Sequence, residues 1–201
     1  MKHIRNYSSF YNLNESKSES EILSALPPSI DISEFSRLIG LSGNENERFI
    51  ELWSQERPNF DIHYFPFQSQ FPIMGVFFYD KDVCINNKTF TPPLFKAFVA
   101  LHESRHGDQY SEGIFEPGYF QTVVDGNEEE FLKNYRILED DANTFALETL
   151  AKYGFDEFVR RDERRIRGNE NMGRQIYEMM SQDIERIGAT SMAELIASQI
   201  L

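Results

Sequence analysis

From Thr91 to Asp108 the sequence describes an apolar helix with two histidines and a glutamate set into it. Thr91 and Pro92 predict its start, a capping hydroxyl followed by proline at the first helical position. Phe95, Phe98, Val99 and Leu101 then give it a buried face, and imidazoles on such a face need a polar partner. His102 and His106 are four residues apart, so both leave the helix on one side and can share that partner. This is the H-E-x-x-H spacing, in which two imidazoles bind one zinc ion. Glu103 is turned about 100° from His102, outside the coordination shell and towards the water that zinc acidifies, where a carboxylate can take a proton. With 4 histidines in 201 residues, a shuffled chain would show this pattern only about once in 150. Two histidines satisfied by unrelated core hydrogen bonds are the other reading. Within the motif, Arg105 has to find solvent or an acidic partner.

A catalytic zinc takes three protein ligands and keeps a fourth position open. The remaining histidines are His3 and His63. Gln109 and Glu112 stand where a longer motif would carry its glycine and third histidine, which excludes that arrangement. The best supplier is the acidic run Glu139-Asp140-Asp141-Ala142-Asn143, on a long helix that Asn127 caps, Glu128 to Glu130 open, and Lys152 and Gly154 close. Glu139 can face back towards the histidines, and Asn143, one turn later, can orient one of them. Phe131, Tyr135, Leu138, Ala142 and Phe145 form an apolar stripe at helical spacing, so this helix packs against another. A solvated acidic face remains the alternative for the run itself. Tyr110, Tyr119, Tyr135 and His63 are all candidates for a donor to a developing oxyanion.

The H-E-x-x-H motif, followed some thirty residues later by the Glu139 to Ala146 run, resembles the ImmA/IrrE family of gluzincin-like metallopeptidases. The resemblance spans roughly residues 70 to 153, including the strands before the helix. It implies zinc held by His102, His106 and Glu139, with Glu103 as general base, and a zincin-like fold; a peptide or protein substrate is expected from the peptidase reading itself, not from the resemblance.

Around this centre the chain reads as α+β. Two short helices are expected, from Asp31 or Ser33 to Gly40 and from about Asn46 to Glu56, before Pro58. Asp61 to Phe67, Pro72 to Tyr79 and Val83 to Asn86 are β-prone, the last two forming a hairpin about Asp80-Lys81-Asp82. They make a small mixed or antiparallel sheet packed on the H-E-x-x-H helix and the glutamate-bearing helix. A possible strand runs from Tyr119 to Val124. The C-terminal part is helical, its last piece opened by the capping box Ser191-Met192-Ala193-Glu194. Residues 1–27, rich in Ser, Asn and Glu, read as a flexible tail, and residues 28–201 as a single zincin-like domain. That tail resembles the short leaders on many proteins of large tailed bacteriophages.

Composition narrows the partners. The formal charge is −13, a field that repels phosphate backbones and anionic lipid, so neither nucleic acid nor membrane is expected. Arg160, Arg161, Arg164, Arg165 and Arg167, interleaved with Asp162 and Glu163, read as a solvated face with paired charges. Cys84 is the only cysteine and reads as a small apolar strand residue. With no apolar run near the roughly 20 residues of a membrane span and no signal-like N-terminus, a cytoplasmic location is expected. Two functions follow: a zinc-dependent peptidase, or a non-enzymatic interaction or virion-associated module with a structural or vestigial metal site.

Overall fold

Asp31 opens helix α1 (Ile32–Ile39) by accepting a hydrogen bond of 2.8 Å from the Glu34 N–H, the role expected of an N-cap aspartate. Gly40 closes it with φ 95°, a left-handed geometry that glycine adopts without strain. In this computed structural model the described residues are 24–67, 74–78, 81–114, 118–167, 172–189 and 194–195. The N-terminal tail up to residue 23, the turn residues Tyr79 and Asp80, and Ser191 to Ala193 of the last capping box lie outside them.

Helix α2 (Gly43–Glu56) starts three residues before the expected Asn46. Three strands follow: β1 (Asp61–Phe65), β2 (Gly75–Phe78) and β3 (Asp82–Asn86), in the order β1-β3-β2. β2 and β3 pair antiparallel, Gly75 opposite Ile85, as the hairpin reading requires. β1 pairs with β3 in parallel, Asp61 opposite Asp82, so the sheet is mixed. Central β3 is buried from Val83 to Asn86, as a strand covered on both faces must be. Cys84 is part of it and free.

The motif helix, α3 (Pro93–Ser111), is preceded by Pro92 at the cap position, and no side chain caps it. Thr91 does not cap it as expected: its buried hydroxyl has no partner among the described residues. Residues 119–124, expected as a strand, form part of helix α4 (Gly118–Val124). The stretch is β-prone by composition, but Phe120 and Val123, three apart, are both buried in one cluster with residues of the later helices. Tertiary packing thus overrides propensity. Asn127 caps α5 (Glu128–Lys152), accepting from the Glu130 N–H at 3.2 Å. Helices α6 (Asp156–Arg167) and α7 (Met172–Ile187) follow. On α6, Arg161 pairs with Asp162 at 2.7 Å and Arg167 with Glu163 at 3.2 Å, while Arg165 lies over the Phe95 ring. No helix among the described residues is long and apolar enough to cross a membrane.

Two apolar clusters organise the described residues. The larger joins α1, α2, β1, β3, α3, the C-terminal half of α5 and α6 around Phe35, Phe49, Leu52, Val83 and Leu101. The smaller joins Phe77 of β2, α4, the N-terminal half of α5 and α7 around Phe131 and Met180. The predicted stripe of α5 is therefore divided: Phe131, Tyr135 and Leu138 serve the smaller cluster, Phe145 the larger, and Ala142 between them is buried. Glu139 sits at that division, facing α3.

Candidate metal centre

His102 and His106 leave α3 one turn apart, and Glu139 meets them from α5. The two Nε2 atoms are 3.0 Å apart. Glu139 places Oε2 3.3 Å from the Nε2 of His102 and Oε1 3.3 Å from that of His106. One ligand atom from each residue lies within 4.8 Å of the others, a grouping that could hold a metal ion. Bonds of about 2.0–2.1 Å in a tetrahedron set neighbouring donors about 3.3 Å apart, so these separations fit zinc. Two ring nitrogens and a carboxylate at such range hold together only around a shared proton or cation.

The charges respond accordingly. Burial lowers the His106 pKa, but the Glu139 carboxylate outweighs it, and the ring is pushed up to about 9. Burial opposes ionisation of Glu139 too, yet His102 and then His106 hold it well below the usual carboxylate range. Glu103, one residue past His102, is held above its ordinary value, chiefly by burial, although the histidines oppose this. The backbone N–H of Phe77 on β2 donates to its carboxylate. Sequence reasoning thus selected three side chains that do converge, with Glu103 beside them.

The supporting groups differ from expectation. Asn143 is buried, but among the described residues no hydrogen bond joins it to either histidine. Gln109 stands in its place: its Oε1 accepts from His106 Nδ1 at 2.7 Å. Gln109 lies three residues past His106, the next position on the same helical face, and that spacing was the signal available in the sequence. Arg105 finds its acids in Asp141 at 2.7 Å and Glu112 at 3.1 Å. Among the described residues, Nδ1 of His102 is buried without a partner.

Of the candidate oxyanion donors, His63 has both nitrogens committed elsewhere, to Pro27 O and Asp82. Tyr110 packs near Phe77, their ring centroids 6.2 Å apart. The Tyr135 hydroxyl has its pKa raised by burial and then by the charges of Glu139 and Glu103. The side chain of Tyr119 lies outside the described residues. Compared with protein-family models, curated proteins and solved structures, the chain matches none.

Proposed function

We propose that the chain is a zinc-dependent metallopeptidase, with His102, His106 and Glu139 as ligands and Glu103 as general base. The observation that carries this reading is the convergence of two imidazoles and one carboxylate at separations suited to a single tetrahedral ion. Zinc, when bound, supplies the Lewis acidity that makes water a nucleophile near neutral pH and polarises a peptide carbonyl. Glu103 would be the base beside that site, holding a proton at its carboxylate and passing it to the leaving amine, with one hydrogen bond from Phe77 N–H fixing the carboxylate. Among the described residues β2 is an outer strand, next to Glu103, and an extended peptide can pair along it. A glutamate ligand on the second helix would be the gluzincin arrangement, the one that the resemblance to the ImmA/IrrE family implies.

The test pairs metal analysis of the purified protein with a Glu103→Gln variant assayed on a broad peptide library. The wild type should hold stoichiometric zinc and cleave. Glu103→Gln should keep the zinc and lose roughly 10²–10⁴-fold in turnover. A wild type without zinc would overturn the assignment. Zinc in both proteins with hydrolysis in neither would make the chain a non-enzymatic module with a structural site.

A further inference from the structure

We infer that Gln109 is the positioning residue that couples the two ligand-bearing helices, setting at once the orientation of His106 and the place of Glu139. Gln109 is only 1% exposed, and a buried amide must satisfy its carbonyl and its NH2 separately. Its Nε2 donates to Leu138 O at 3.0 Å and to Asp141 Oδ2 at 2.7 Å. Both of those atoms can only accept. The amide therefore has one workable orientation, with Oε1 turned towards His106 Nδ1 at 2.7 Å. An acceptor there requires a hydrogen on Nδ1, which leaves Nε2 directed at Glu139 and His102.

The second half of the coupling lies in the backbone. Leu138 immediately precedes Glu139, so the hydrogen bond to its carbonyl ties α5 to α3 at the ligand position itself. Asp141, the other acceptor, is held by Arg105 Nε at 2.7 Å. The amide is thus anchored at a charged pair while adding no charge of its own beside Glu103 and Glu139. A space-filling residue would need none of these three contacts.

The inference rests on the zinc reading for one of its two readouts, and the other needs no metal. In metal-free, 15N-labelled full-length protein, the His106 Nδ1–H should be protected from solvent exchange, and Gln109→Leu should abolish that protection. With Co2+ as probe, Gln109→Leu should bind about 10- to 100-fold more weakly, with an altered ligand-field spectrum. Gln109→Glu keeps an acceptor for Nδ1–H, so that signal should survive, but it sets its other oxygen against Leu138 O and Asp141, so Co2+ affinity should still fall. A Gln109→Leu protein that keeps the protected Nδ1–H, or binds Co2+ within about two-fold of wild type, would overturn the inference. Should Gln109→Leu fail to fold, loss of the protected signal in Gln109→Glu overturns it as well. A wild type that takes up no Co2+ sinks the zinc reading alone, and the Nδ1–H signal then decides the role of Gln109.

Discussion

A Cβ placed on Gly75 would stand 2.9 Å from Cγ of Glu103 and 2.6 Å from Cγ1 of Val99. β2 reaches α3 this closely because position 75 has no side chain. The approach matters two residues later, where Phe77 donates its N–H to the Glu103 carboxylate. Gly75→Ala should therefore destabilise the protein by about 1–3 kcal/mol through overpacking. It should also displace Glu103, so that peptide hydrolysis falls while zinc content holds. Thermal melting, metal analysis and a peptide assay measure the three effects. A variant as stable and as active as wild type would show that strand and helix have slack.

Glu139 and Glu103 are given different jobs, and substitution should separate them. Glu139→Gln keeps the shape but removes the charge that faces both Nε2 atoms. Zinc affinity should drop first, with hydrolysis lost as a consequence and restored in part by excess zinc. Competition with a chelator of known affinity gives the order. Glu139→Gln that retains zinc as tightly as Glu103→Gln would remove Glu139 from the ligand set.

How much of this was legible follows from the range of each interaction. H-E-x-x-H works within one helical turn, so His102, Glu103 and His106 could be read from spacing alone. Glu139 is carried by another helix, but its mid-helix position beside an apolar stripe marked it as inward-facing. Asn143 was the natural choice to orient a histidine because it follows Glu139 by one turn. The spacing of Gln109 from His106 offered it as a candidate, but what gives it that place is the interhelical geometry that sets its amide between His106 Nδ1 and Leu138 O, and the contact to Leu138 O is not encoded along one helix. The strand expected at Tyr119 failed for the same reason, since the burial of Phe120 and Val123 against other helices is a tertiary fact. The parallel pairing of β1 with β3 was equally unreadable, because hairpin signals specify only neighbours joined by a short turn.

Arg57 links three elements: its Nη1 is 2.5 Å from Asp108 on α3, and its guanidinium lies 3.9 Å from the centroid of Phe145 on α5. It is itself buried, so removing its acid leaves a charge with little water to replace the partner. Asp108→Leu should cost about 2–3 kcal/mol, the modest end for a buried pair, because the Asp108 side chain is 29% exposed. The double variant Arg57→Met, Asp108→Leu should recover part of that loss, since no unpaired charge remains. Urea unfolding of the two single variants and the double variant gives the coupling. Strict additivity would mean that the pair contributes nothing of its own.

His63 lies between two acceptors, Pro27 O at 2.6 Å from Nδ1 and Asp82 Oδ1 at 2.9 Å from Nε2. Only the doubly protonated ring can donate to both at once. Burial lowers its pKa, but the Asp82 carboxylate and the Pro27 carbonyl outweigh it, with Asp61 adding to the effect, so the folded value is raised. A raised folded value fixes the sign of the linkage. The stabilisation is fully present below the unfolded value of about 6.5 and is lost as pH rises through the folded value. His63→Leu should cost about 1–3 kcal/mol in mild acid, as expected for hydrogen bonds to a charged group, and less at alkaline pH. Because acid also discharges the protein's many carboxylates, the informative quantity is the wild-type minus variant difference at each pH, taken from urea unfolding. Next to this contact Ile30 N–H donates to Ile62 O at 2.8 Å, bridging the incoming segment to β1. Hydrogen exchange at Ile30 should therefore quicken in wild type at alkaline pH, beyond the intrinsic rate increase, and in the variant at every pH. A difference between wild type and variant that is flat, or that grows as pH rises, would mean that His63 is held neutral and that Asp82 does not need its charge.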